Sequence, residues 1–144
     1  MSRESDKGDK RDRGDKGNGS GKRDKSDKGY HRLVLWQKAH EFVVCVYKET
    51  NLFPKSELYG LTSQLRRAAL SVPANIVEGH SRDSKKDFLR FLSFTRGSLA
   101  ECEYFLELAL DLDFMDKASY ESFEHLRMEV GYLLYSFIKT IKER

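Results

Sequence analysis

The chain is poor in the residue types from which most reaction centres are built. Two cysteines and four histidines occur in 144 residues. Cys45 and Cys102 each stand alone in an apolar helical pattern with no second cysteine at zinc-ligand spacing, so they read as reduced packing residues. The positions three before His31, His40, His80 and His125 hold Lys28, Gln37, Val77 and Ser122, so the Glu-x-x-His pairs of a di-iron bundle are missing. Nor is there a G-x-S-x-G nucleophile motif, a P-loop or a dinucleotide glycine fingerprint. The expectation is a protein that is not an enzyme, with no catalytic residue, metal or cofactor. No apolar run approaches the ~18 residues of a membrane-spanning helix, and the N-terminus lacks the apolar core of a signal peptide. A soluble, cytoplasmic protein without membrane contact is expected.

Large apolar side chains are missing altogether from the first 29 residues, which contain no Val, Ile, Leu, Phe, Tyr or Trp. Such a segment has nothing to bury against its ordering entropy, so residues 1–29 read as a disordered, low-complexity charged tail acting as a linker or solubilising arm. Of the 26 basic and 23 acidic residues, ten and seven lie in that tail, leaving sixteen of each in residues 30–144. The folding part is therefore neutral, and the overall pI of 8.8 is a weak argument for nucleic acid.

What remains is four amphipathic segments and no strand pattern. Trp36, Ala39, Val43 and Val46 recur at helical steps between Leu35 and about Asn51, and the stretch containing Pro54 ends them. A second helix is read from about Glu57 to Glu78 on Leu58, Leu61, Leu65, Ala68 and Val72, closed by Gly79 as a left-handed residue. Counted from that seam, Pro73 falls on the outer side and bends a continuous helix, while Asn75 and Glu78 lie inward and hydrogen-bond nearby backbone or a facing helix. Ser84, with Asp87 three positions on, opens a third helix, whose seam is Phe88, Leu92, Thr95, Leu99, Cys102, Leu106 and Ala109. A fourth follows Asp116 on Phe123, Leu126, Val130, Leu133, Phe137 and Ile141. The fold class is all-α, an antiparallel up-down four-helix bundle over residues 30–144 with a disordered charged N-terminal tail.

Charge placement and apolar width carry the functional reading. Arg82, Lys85, Lys86 and Arg90 crowd the start of the third helix and Asp111 and Asp113 its end, against the preference of the helix dipole. An antiparallel neighbour brings Arg66 and Arg67 about level with Arg96, completing a basic stripe that could meet phosphates. Glu101, Glu103, Glu107, Asp111 and Asp113 read as solvated face. Phe91, Phe94, Phe105, Leu108 and Leu112 widen the apolar arc of the third helix beyond what one small bundle needs, and Leu70 and Val77 lie outward on the second. Leu70, Phe91, Phe94, Phe105 and Leu108 are the candidate oligomer interface. Gly97, inside a helix, suggests close backbone approach.

The words LWQKAHEF, VYKETNLFPKSELYGLTSQLRRAALSVPANIVEG and FLRFLSFTRGSLAECEYFLELAL resemble the four-helix bundle proteins encoded by intervening sequences in bacterial 23S ribosomal RNA genes, from Leu35 to Ile141. That family looks like a relative of the accessory variability proteins of diversity-generating retroelements. The resemblance implies a homopentamer, a binding module for RNA or DNA, and a reverse transcriptase as partner; it brings no catalytic residue. The leading function is then a non-enzymatic oligomeric accessory protein contacting phosphates through Arg66, Arg67, Arg82, Lys85, Lys86, Arg90 and Arg96. The alternative is a protein-binding scaffold without nucleic-acid affinity, whose arginines pair with carboxylates of the next subunit.

Overall fold

The computed structural model describes residues 29–144. The disorder expected of residues 1–29 thus concerns, apart from Gly29, residues outside the described ones. Four helices follow one another: α1 (Val34–Thr50), α2 (Leu61–His80), α3 (Lys85–Asp111) and α4 (Lys117–Lys142), with 3-10 turns at Gly29–Arg32 and Lys55–Glu57. No strand occurs among the described residues.

The helix starts are chemically specified. Ser84 accepts the Asp87 amide at 3.1 Å and Asp116 accepts the Ser119 amide at 2.7 Å, satisfying donors that the first helical turn leaves free. The Glu57 carboxylate does the same for Leu61 at 2.9 Å. α3 closes through Asp113, whose φ of 59° places it in the left-handed region. There Phe114 N–H donates to Ala109 and Asp113 N–H to Leu110, the two bonds of a Schellman ending.

Each helix packs on its neighbours in sequence, and α4 returns to α1. Thr95 Oγ1 donates to the Val72 carbonyl at 3.2 Å, and Ser98 and Ser71 hydroxyls bond at 2.9 Å, so α3 advances as α2 recedes. The same opposite running relates α1 to α4 (Lys38–Glu129 at 3.6 Å, the Phe42 and Phe123 rings at 6.3 Å) and α3 to α4 (Lys85 to Lys142, Arg127 to Glu103). Phe42, Leu65, Ile76, Leu92, Leu106 and Leu134 fill the fully buried centre between them. Burying each such side chain stabilises the fold by about 1.5–3 kcal/mol.

Several expectations are corrected. α2 starts at Leu61, so Leu58 belongs to the preceding turn and is 48% exposed. Phasing the seam from Leu58 puts Pro73 outward; in the fold it is buried, seven residues after Arg66 on the side turned to α1. The helix nonetheless runs through it without a break. Gly79 lies inside α2 with negative φ and is buried, so it does not terminate the helix. Its missing side chain makes room for α3: a Cβ there would come within 2.8 Å of Phe88 and 2.9 Å of Phe91. Gly97 shows the reverse, exposed with nothing within 4 Å of its Cβ position, so it mediates no close approach inside the chain. On α4 the buried residues are Phe123, Val130, Leu134 and Ile141, while Leu126, Leu133 and Phe137 pack as half-buried flanks. Asn75 does bond backbone, donating to the Ser71 carbonyl at 2.8 Å, whereas Glu78 is exposed and pairs with Arg82.

Candidate nucleic-acid interface

The seven cations expected to form one stripe are dispersed over three sides of the bundle. Arg66 turns towards α1, donating to Thr50 Oγ1 at 2.8 Å and Asn51 Oδ1 at 3.1 Å with its guanidinium over the Tyr47 ring. These bonds make it a tie between helices. Lys85 donates to the carbonyl oxygens of Arg144 at 2.7 Å and Lys142 at 3.3 Å. A cation at the start of α3 looks misplaced along that helix alone, but it caps the negative end of its antiparallel neighbour α4.

Arg82 and Arg90 form a cluster at the α2–α3 turn. Their guanidiniums lie 4.8 and 4.9 Å from the Phe91 ring centre, and Arg90 also reaches the Phe94 ring at 5.9 Å. Arg82 pairs with Glu78, and Arg90 approaches Asp87 at 3.6 Å. These bridges are exposed and worth little, so the arginines remain exchangeable. Arg67, Lys86 and Arg96 have no hydrogen-bond or ion-pair partner among the described residues. Arg67 sits in a shallow polar recess with Gln64, Ser71, Ser98 and Glu101, level with the latter two and not with Arg96.

Arg96 lies on the other side of α3. There the α3–α4 groove, about 440 Å³, has Leu99, Gly131, Leu134 and Ile138 along its floor and Arg96, Lys139, Lys142, Tyr135 and Glu143 around it. Tyr135 is 68% exposed and Tyr132, one turn away, 71%. The sequence reading missed Lys139, Lys142, Tyr132 and Tyr135; the available signal was large aromatics on the face of α4 opposite Val130 and Leu134. A second groove, about 560 Å³ between α1 and α4, is lined by Cys45, Phe123 and Leu126. It has one cation, Lys48, against the carboxylate Glu49, whose pKa is raised by burial and by Asp116, so it has no charge preference comparable to the first.

Among the candidate interface residues, Leu70 and Phe94 are half exposed, whereas Phe105 and Leu108 are half-buried and lean on the chain's own core. Cys102 is buried, and burial pushes its thiol up to about 12, leaving it unreactive. Between α3 and α4, Arg127 makes two bonds to Glu124 at 2.8 and 2.7 Å and reaches Glu103 at 3.4 Å; the Glu124 bonds hold its pKa above the usual arginine value. No three His, Cys, Asp or Glu side chains among the described residues gather where a metal ion would sit, and no helix among them is long and apolar enough to cross a membrane.

Fold and surface together define a small all-α four-helix bundle whose distinctive chemistry lies in cations and aromatic rings on its outside. The profile of the 23S rRNA-intervening sequence proteins matches residues 31–136, and the chain belongs to that family. A solved structure from Bacteroides thetaiotaomicron VPI-5482, described as a protein with unknown function from the S23 ribosomal protein family, is similar. It shares 29% identity at a TM-score of 0.69, over 74% of this chain and 99% of that one. No curated protein matches.

Proposed function

We propose that this protein is a non-enzymatic, cytoplasmic, oligomeric accessory protein that binds nucleic acid through cations of α2 and α3. The observation that carries this reading is that Arg67, Lys86 and Arg96 are unpaired among the described residues, while Arg82 and Arg90 are held against aromatic faces at the α2–α3 turn. In a folded part with equal numbers of acidic and basic residues, unpaired cations such as these give local positive potential without net charge. Arg66 and Lys85 leave the proposed phosphate-binding set, because each already serves a helix junction. By resemblance the assembly is a pentamer and a reverse transcriptase its protein partner.

The test is a salt titration of RNA and duplex DNA binding. Replacing Arg67, Lys86 and Arg90 should weaken binding to unrelated sequences alike and flatten the slope against log salt by about 0.7–0.9 for each phosphate no longer neutralised. Absence of binding at about 50 mM salt would sink the reading. The protein scaffold is then the better account. It is favoured by the half-exposed Phe94 and Leu70, 48% and 49%, the first of them part of an arginine–phenylalanine cluster of the composition found at interface hot spots. Sedimentation of the Phe94→Glu, Leu70→Glu double variant checks that surface: dissociation with helix content retained is expected.

A further inference from the structure

We infer that the α3–α4 groove is a binding site for single-stranded nucleic acid, in which an unpaired base stacks on Tyr135 while Arg96, Lys139 and Lys142 hold the flanking phosphates. The inference rests on the nucleic-acid reading above and moves its binding site to a different side of α3.

Three features of the groove select this ligand. Its rim carries three cations and one carboxylate, Glu143, so an anion is preferred. Its floor is apolar, formed by Leu99, Leu134 and Ile138, so the anion must also bring a flat or apolar body. The Tyr135 ring, which lines the groove and is 68% exposed, offers a face that the fold itself does not use, and Tyr132, three residues before it on α4 and outside the groove, is 71% exposed. Exposed aromatics interleaved with cations are the arrangement that grips a strand through base stacking and phosphate pairing, with little regard to sequence. A duplex does not satisfy it, because paired bases stay stacked inside the helix and only the backbone would reach the rim. An acidic peptide would satisfy the cations but leave the ring faces without a flat partner. A nucleotide fits the groove's volume of about 440 Å³, which lies within the range of ligand pockets.

The experiment measures anisotropy of labelled ten-nucleotide oligo(dT), oligo(U) and an abasic oligomer with the full chain and its variants, helix content being followed by circular dichroism. Tyr135→Ala should weaken oligo(dT) and oligo(U) binding about fivefold or more while leaving the abasic oligomer unchanged, and Tyr135→Phe should restore it. Arg96→Ala with Lys139→Ala should weaken all three and lower the salt slope by about 1.4. The oligo(dT) and oligo(U) arms separate DNA from RNA preference. Wild-type binding that ignores Tyr135 and the Arg96–Lys139 pair but is abolished on replacing Arg67, Lys86 and Arg90 overturns the groove and leaves the proposed function standing. No binding of any nucleic acid by the wild type overturns both. An acidic amphipathic peptide whose binding needs Tyr135, with oligonucleotides indifferent to it, also overturns the inference.

Discussion

The two sides of α3 are built on opposite principles. Towards α2, small groups meet: Gly79 under Phe88 and Phe91, Ser71 against Ser98, and Thr95 bonded to the Val72 carbonyl. The backbones approach closely, and this is the most extensive helix pairing in the bundle. Towards α4, Gly131 again removes a side chain, with Leu99 3.5 Å from where its Cβ would lie. Here the flanks are long side chains, Arg96, Tyr135, Lys139 and Lys142, which reach outward and leave a groove open. Small residues on both partners close a seam; a small residue flanked by long amphipathic ones makes a site.

The comparison breaks if both sides respond alike to truncation. Leu92→Ala, at a fully buried position, should cost about 2–5 kcal/mol in denaturant unfolding. Tyr135→Ala on the groove rim should stay within about 0.5 kcal/mol of wild type. Equal losses would mean the groove wall is part of the core.

Gly79 sharpens the seam. Gly79→Val should destabilise by about 1–3 kcal/mol despite the gain in helix propensity, because Phe91 Cβ belongs to the facing helix and cannot swing away. A thermal midpoint equal to wild type would show that α2 and α3 slide apart freely.

Gly97, on the open side of the same helix, should behave in the opposite sense. Gly97→Ala should stabilise the chain by about 1 kcal/mol, raising the melting midpoint by roughly 4–5 °C, since nothing lies within 4 Å of the new methyl. If the wild type sediments as the proposed oligomer and the variant dissociates while its chain is stabilised, Gly97 lies at an interface between copies.

The smallest effect separates the caps that open α3 and α4. Ser84 does not titrate, whereas the Ser119 amide bond holds the Asp116 carboxyl below the ordinary value of 3.8. A depressed folded-state pKa adds stability that is complete above that ordinary value and is lost as pH falls through the lowered one. Acid should therefore weaken the start of α4 before that of α3, and Asp116→Asn should flatten that part of the acid limb. Exchange of the α4 amides followed from about pH 5 to about pH 2 checks it.

Much of the architecture was legible because helical periodicity reports burial directly. Of the expected α3 seam, Leu92, Thr95, Leu99, Cys102, Leu106 and Ala109 are buried and Phe88 is half-buried at its start, and Ser84 caps the helix. Phasing failed in two ways on α2: Leu58 fits the seam by spacing yet lies in the turn before the helix, and Pro73 is buried because the helix is covered on a second side, with Thr62, Ala69 and Ile76 buried beside the Leu61, Leu65, Ala68 and Val72 seam. The glycines failed for a related reason. Nothing local distinguishes a glycine that ends a helix from one that admits a neighbour; Gly79 does the second, and Asp113 takes the left-handed position.

The sequence by itself determined four helices, most of the α3 seam, the family and the absence of a recognisable catalytic motif, since each depends on residue type and on spacing within one segment. Only the tertiary structure decided which charges are free. Arg66 and Lys85 look like phosphate ligands until α1 and the end of α4 are set beside them, and Arg96 joins Tyr135, Lys139 and Lys142 only across the α3–α4 junction. The physical reason is that a charge is neutralised or left available by groups some 15 to 59 residues away in sequence, a relation that no helical period records.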